Sequence, residues 1–346
     1  MSVLPYYLIF VVPFSVVLGY SLGGALTFLT PVLVFGVVPL LDIAIGVSRK
    51  NPAPEEEGKL SSALRFRLVT WLCVPLQIAL VLWGAFVVTY EVLWPIEFAG
   101  FITSMGISSG IMGINVSHEL QHRVNNSFEP FLSRLMLWTV GYMHWAIEHV
   151  AGHHRHVATP RDPATARLGD SFYAFWPRTV FGGFRSAWRI EAERLGKKGL
   201  PVWSLHNRMI RYGSAEIALV LALRISLGTE AAVYLVVQGL IAFTLLEIVN
   251  YIEHYGLIRR ETSPGTFEPV SPVHSWNAGN YLTNRFLFNL QRHSDHHSYP
   301  GRRYQVLRHF DESPQLPTGY AGMVLIAVIP PLWRSIMDRR LSSFRS

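Results

Sequence analysis

The sequence predicts an all-α integral membrane fold: a six-transmembrane-helix bundle carrying a helical and loop cap on one membrane face. Three observations carry that prediction. Half of the 346 residues are hydrophobic and only 15% are charged, with positive mean hydropathy, where soluble domains run nearer a quarter charged. Five or six apolar stretches are long enough to cross roughly 30 Å of hydrocarbon, which takes about 20 helical residues. Nine of the 14 histidines fall into short clusters at helical spacing, the separation that stacks side chains on one helix face.

In chain order, the first span is read at about 5–23. It has no basic leading region and no small-residue cleavage site, so it is expected to be retained and not removed as a signal peptide. The second lies at about 25–47, followed by a Pro- and Glu-rich linker at 51–59. The third and fourth lie at about 68–92 and 97–118. Within the segment 119–212, the apolar run 131–147 is interrupted by Arg134 and His144 and is read as an interfacial or re-entrant helix. The last two spans are placed at about 213–228 and 230–252, and the stretch 319–333, ending in Pro330 and Pro331, is again read as interfacial. The whole of 1–346 reads as one membrane-embedded domain without internal repeats.

Orientation follows from the cations, because cytoplasmic loops are enriched in Lys and Arg. None occurs before Arg49 or between Arg67 and Arg123. With the first helix starting inside, the segments 119–212 and 253–346 and both termini are cytoplasmic, and only Arg224 of the 30 Lys and Arg lies toward the outside. Cys73 is alone and sits in the third span. That excludes an internal disulfide and a Cys-ligated iron–sulfur or zinc site, so an electron carrier built on four thiolates is a separate protein. Nucleic acid is not an expected partner for a chain this apolar.

The histidines are His118 and His122; His149, His153 and His154; His254; and His293, His296 and His297. Each larger cluster contains a pair four residues apart, able to grip a metal ion from one helix face. Adjacent residues on a helix diverge by about 100°, so His153 and His154 cannot readily share one ion on regular helix but can serve two neighbouring ones. Nine imidazoles exceed the need of one site, and two metals with four or five each account for all of them. With no thiolates and few carboxylates, iron, copper or zinc suits such sites better than magnesium or calcium. Glu119, Glu148, Asp162, Glu253 and Asp295 are the nearby carboxylates expected to accept from ring N–H groups or to serve as occasional ligands. His144, His156, His206, His274 and His309 are read as ordinary surface or core residues.

These clusters resemble the histidine boxes of the integral-membrane alkane 1-monooxygenases, which share their plan with membrane fatty-acid desaturases and methyl-aromatic hydroxylases. His118-Glu-Leu-Gln-His122-Arg123 is similar to the family's first box, although a Lys is common at Arg123 and a small residue at Gln121. Residues 148–154 (EHVAGHH) resemble the second box and 290–297 (LQRHSDHH) the last, and the signature 250–257 (NYIEHYGL) is intact. Flanking 158–165, 274–277 and 316–320 agree as well. The likeness extends over nearly all of the chain from about Pro39, and the 250–257 motif separates hydroxylases from desaturases. It implies a non-haem diiron centre, molecular oxygen as co-substrate, and terminal hydroxylation of n-alkanes to 1-alkanols. It implies electrons from rubredoxin in trans, fed by an NADH-dependent rubredoxin reductase, since no fused rubredoxin domain is expected here. It also implies a bacterial inner-membrane location among membrane lipids. A related oxidase acting on methyl-aromatic compounds, or a lipid desaturase, is the alternative.

An alkane has no polar handle, so a greasy channel ending at the histidines is expected to recognise it. Gly106, Gly110 and Gly113 stripe the fourth span just before His118, which suits either close helix packing or a substrate groove. In the family a bulky aromatic on the second span limits chain length, and Val34 corresponds to it here, which implies longer substrates. The net charge of +7 reflects either positive-inside bias alone or, in addition, docking of an acidic donor by some of Arg155, Arg161, Arg292, Arg302 and Arg303.

Overall fold

The computed structural model describes residues 1–123 and 126–345, which are predominantly helical. The helices that shape the molecule are α1 (Leu4–Leu22), α2 (Gly24–Ile45), α3 (Leu64–Tyr90), α4 (Pro95–Gln121), α5 (Phe128–Trp138), α6 (145–156), α7 (Phe172–Gly196), α8 (Arg208–Ser226) and α9 (Thr229–His254). Short helices α10 (Tyr281–Phe286), α11 (His293–Ser298) and α12 (Tyr320–Ala327) follow, then α13 (Pro330–Arg345). The linker at 51–59 is partly helical, over Pro54–Ser62, with Pro54 opening the helix and three glutamates in its first turn, the arrangement a helix N-terminus favours.

Five helices, α1, α2, α3, α4 and α9, are long and apolar enough to cross a membrane. The stretch expected at 213–228 lies in α8, which has the length, 19 residues, but carries Arg208, Arg211, Glu216 and Arg224. It turns at Gly228, whose φ of 104° favours glycine, and packs back on α9. The run 131–147 is two short helices, α5 and the start of α6, joined by a turn.

Helix α4 is the central post. Of its most apolar 18-residue window 89% is buried, against 22–50% for the other four, so its small residues meet neighbours on every side. A Cβ on Gly106 would come within 2.5 Å of the Ile241 side chain on α9. At its N-terminus Glu97 accepts from the backbone N–H of Trp94 and of Gly24, which ties the α1–α2 turn to α4. At the far end, buried Asp42 on α2 accepts the backbone N–H groups of Leu282 and Thr283 and the Thr283 hydroxyl. One acid thus anchors a spanning helix to the segment that carries the last histidines.

Candidate metal centre

Two helix ends and two short helices deliver the nine histidines to one place. His118 and His122 lie one turn apart at the end of α4, His254 closes α9, and α11 opens on His293. Two consecutive left-handed residues, Phe288 and Asn289, with φ of 51° and 56°, turn the chain into this last segment. Such backbone costs free energy in a residue with a Cβ. It is offset here by Asn289, which donates to the Tyr6 hydroxyl and the Tyr304 carbonyl, each at 2.8 Å.

Helix α6 departs from regular pitch. Over His149–His153 it widens into a π turn, then regains α geometry at His154. In an α-helix residues five apart point well away from each other, whereas the wider turn brings them back toward one side. Consequently His149 pairs with His154, their Nε2 atoms 3.0 Å apart, while His153 faces elsewhere. The sequence suggested His149 and His153 as a shared grip; the π turn reassigns that grip to His149 and His154.

The nine side chains form two sets. Ligand atoms of His118, His122, His149, His154 and His296 all lie within 4.8 Å of one another, as do those of His153, His254, His293 and His297. The sets adjoin, with the His154 and His297 rings stacked at 4.3 Å. Nε2 atoms approach at 3.2 Å for His122 and His149, 3.1 Å for His154 and His296, 3.2 Å for His254 and His293, and 2.9 Å for His293 and His297. One neutral ring nitrogen cannot satisfy two such neighbours at once, and buried Nε2 of both His118 and His153 has no hydrogen-bond partner among the described residues. Two imidazoles at about 2.1 Å from one ion and at right angles would sit about 3.0 Å apart, so the donor set fits metal ions better than it fits hydrogen bonds.

The electrostatics agree. Burial, reinforced by neighbouring imidazoles, pushes His122, His149, His154, His293, His296 and His297 well below the usual histidine range, leaving the neutral form that binds metal. His153 is different. Burial is the largest single influence and lowers it, but Asp162, whose Oδ2 is 2.9 Å from Nδ1, together with Glu148 and Glu253 outweighs burial and lifts it to about 9. The Asp162 carboxylate also accepts from Thr165 and orients Nε2 of His153 toward its set.

The other expected carboxylates divide. Glu253 Oε2 lies 3.2 Å from His293 Nε2, the one contact of these four carboxylates with the His254 set among the described residues. Glu148 is buried against Gly152, and burial with Asp162 nearby raises it to about 8. Glu119 binds Arg123, and Asp295 accepts from Arg302 at 2.5 Å and from the Arg308 N–H. These last two hold arginines of the cap and make no hydrogen bond or ion pair to a histidine among the described residues.

A narrow apolar cavity of ≈ 90 Å³ reaches His118, His149 and His293 from within the bundle. Val34 and Phe35, Gly110 and Ile111, Leu245 and Phe286 are among its walls. Helices α2 and α4 also widen into π turns here, over Leu33–Val37 and Ser109–Ile114, so three wide turns border one space. Of the glycine stripe, Gly110 lines the cavity, whereas Gly106 packs on Ile241 and Gly113 on Gln77. Trp145, unremarked in the sequence although it stands four residues before His149, packs against that ring at 4.4 Å and against His118 at 6.0 Å.

Three of the five arginines singled out from sequence are committed inside the protein. Arg292 is buried and donates to the carbonyls of Leu307 and Lys50, Arg302 binds Asp295 and Glu57, and Arg303 binds both oxygens of Glu129. Arg155 and Arg161 are exposed and have no carboxylate partner among the described residues. Arg161 opens on a ≈ 770 Å³ cavity with Arg167, Arg178, Arg185 and Arg189, whose wall includes Asp162. Arg178, Arg185 and Arg189 stand seven and then four residues apart on α7, a one-face spacing that the sequence displays but that drew no attention beside the histidines.

The fatty acid desaturase family model matches residues 92–326, a region that holds all nine histidines. Across 94% of this chain and 87% of its own length, alkane 1-monooxygenase 2 of Pseudomonas aeruginosa is 43% identical. The chain belongs to the alkane 1-monooxygenase family. An Acinetobacter baylyi alkane 1-monooxygenase is 42% identical over 93% of this chain and 77% of its own. More distant is the xylene/toluene monooxygenase hydroxylase component of Pseudomonas putida, 29% identical over 98% of the chain and 89% of its own length. For an alkane 1-monooxygenase relative, the clustering of metal-binding residues at the end of an apolar cavity is the feature to explain.

Proposed function

We propose that this chain is a six-span alkane 1-monooxygenase whose nine histidines hold two iron ions, five ligands to one and four to the other. The observation that carries the reading is the apolar cavity that ends on His118, His149 and His293. Bound there, iron supplies the reductive activation of molecular oxygen and the attack on an unactivated C–H bond. In balance, one oxygen atom enters a terminal C–H bond of the alkane and the other leaves as water, consuming two electrons and two protons.

The chain's own residues supply the rest. The walls from α2, α4, α9 and α10 bind the alkane by apolar burial, worth about 0.8 kcal/mol per CH₂, and exclude water. The space is narrow and admits a chain end-on, so the terminal methyl is what meets the histidines. Trp145 packs the rings of His149 and His118, and Asp162 fixes His153 through Nδ1. Electrons come from rubredoxin, reduced by its NADH-dependent reductase, at a membrane face that is cytoplasmic, in a bacterial inner membrane. Arg155 and Arg161, together with Arg185 and Arg189, face that donor, since their charges are not spent internally.

The deciding experiment uses the purified protein in lipid nanodiscs with rubredoxin, its reductase and NADH. Octane and hexadecane are expected to yield 1-alkanols only with oxygen and all components present, from protein holding two irons per chain. An alkene product would assign a desaturase, and turnover without oxygen a hydrolase. The likeness to the xylene/toluene enzyme supports one second reading, methyl-aromatic hydroxylation. Toluene oxidised faster than octane would select it.

A further inference from the structure

The corner between α7 and α8 is organised by one buried acid. Glu191 accepts from Arg194 through both oxygens, at 2.5 and 2.9 Å, and from the backbone and side chain of Arg208, at 2.7 and 2.9 Å. A cavity of ≈ 300 Å³ opens beside it, lined by Arg194, Lys198, Arg208, Arg211, His206 and two leucines. No carboxylate lines this space, and Lys198 and Arg211 are in no ion pair among the described residues. Four cations set against Glu191 alone leave a strongly positive hollow.

Its surroundings are apolar and bare. Along α8, Ile217, Leu221 and Ile225 point away from the protein, and in the loop before it Trp203 and Leu205 are 80% and 78% exposed. Trp203 is propped by Trp188, ring centroids 5.1 Å apart. Large exposed apolar side chains beside basic ones, at the end of a helix with an apolar outer face, mark the boundary between hydrocarbon and water. Basic hollows at that depth suit anionic lipid headgroups.

We propose that this hollow binds the phosphate of an anionic phospholipid, with Lys198 and Arg211 as the free cations and with Trp203 and Leu205 set among the acyl chains. Arg194 and Arg208, held by Glu191, present their remaining N–H groups without having to be ordered on binding. The lipid would clamp α7 to α8. Nothing in this depends on the oxygenase chemistry.

The test uses the full-length protein stripped of lipid in neutral detergent. Dioleoyl phosphatidylglycerol is expected to survive native mass spectrometry as a bound adduct and to raise Tm, whereas dioleoyl phosphatidylcholine does neither. Inorganic phosphate, lacking chains, is expected to give little of the shift. Lys198→Ala/Arg211→Ala should weaken phosphatidylglycerol retention at least tenfold without lowering the lipid-free Tm, while Arg211→Lys retains binding. Trp203→Ala/Leu205→Ala should weaken it with the cations intact. Equal shifts from the two lipids, unchanged retention in the Lys198→Ala/Arg211→Ala protein, or a full shift from phosphate alone, which would assign a soluble phosphorylated ligand, each overturn the proposal.

Discussion

Seen from the histidines, one direction is hydrocarbon and the other is arginine. Toward the bundle, the wall is Val34, Phe35, Gly110, Leu245 and Phe286, a space of ≈ 90 Å³. Beyond Asp162, the wall is Arg161, Arg167, Arg178, Arg185 and Arg189, around ≈ 770 Å³. Such a separation suits an oxygenase working on an alkane, because its substrate partitions into lipid while its electron donor and its protons come from the aqueous side. Both histidine sets reach the apolar cavity, through His118 and His149 of one and His293 of the other, while His153 meets Asp162 on the arginine side.

The largest expected effect comes from the centre that both directions serve. His122→Ala in one set and His297→Ala in the other should each cut alkanol formation by at least about 100-fold, with iron per chain falling from two toward one. Elemental analysis alongside product chromatography reads both quantities. Retained iron and retained turnover in either variant would mean that the sets are not the metal sites. Chelation of the wild-type protein should abolish turnover, with recovery on adding ferrous iron.

Next in size is the link between the centre and the arginine side. Asp162→Asn keeps the shape but removes the charge that orients His153 and accepts its Nδ1 proton. Partners of this kind are worth about 10–100-fold in metal affinity or activity, so both are expected to fall within that range. Titration with ferrous iron separates the two.

Charge reversal farther out should do less and only in one assay. Arg185→Glu/Arg189→Glu should slow rubredoxin-driven turnover about tenfold at low salt and flatten its salt dependence. Turnover driven by a small chemical reductant should be unchanged. Arg303→Glu is the contrasting control. Its guanidinium is spent on buried Glu129, so reversal should lower Tm and depress both assays together.

The same contrast shows what the sequence disclosed. The spans α1 to α4 and α9 were legible because hydrophobic length is a one-dimensional property, and the histidine clusters because helical spacing survives in the chain. The span read at 213–228 is indeed a helix, but the charges that α8 carries, Arg208, Arg211, Glu216 and Arg224, leave it less apolar than the other five. Two sets of four and five were foreseen, but which histidines join which was hidden, because it depends on a π turn at His149–His153 that local spacing does not announce. The fate of the arginines was hidden for a different reason. Whether a cation is free or spent depends on partners remote in sequence, such as Glu129 for Arg303.

The smallest effect tests the apolar side by itself. Val34 is 7% exposed, lies at the start of the π turn in α2 and lines the cavity. Val34→Trp would fill that part of the space without touching a histidine, so the iron content should stay at two. Excluding even two methylenes forfeits about 1.6 kcal/mol of apolar burial, a little over tenfold. Hexadecane oxidation should therefore fall by at least about tenfold relative to octane, with octane turnover changed less than about threefold. Competition between the two alkanes in a single reaction reads the ratio directly, free of differences in enzyme concentration. Should the variant lose Tm yet leave that ratio unaltered, Val34 is a packing residue, and chain length is measured elsewhere along the cavity.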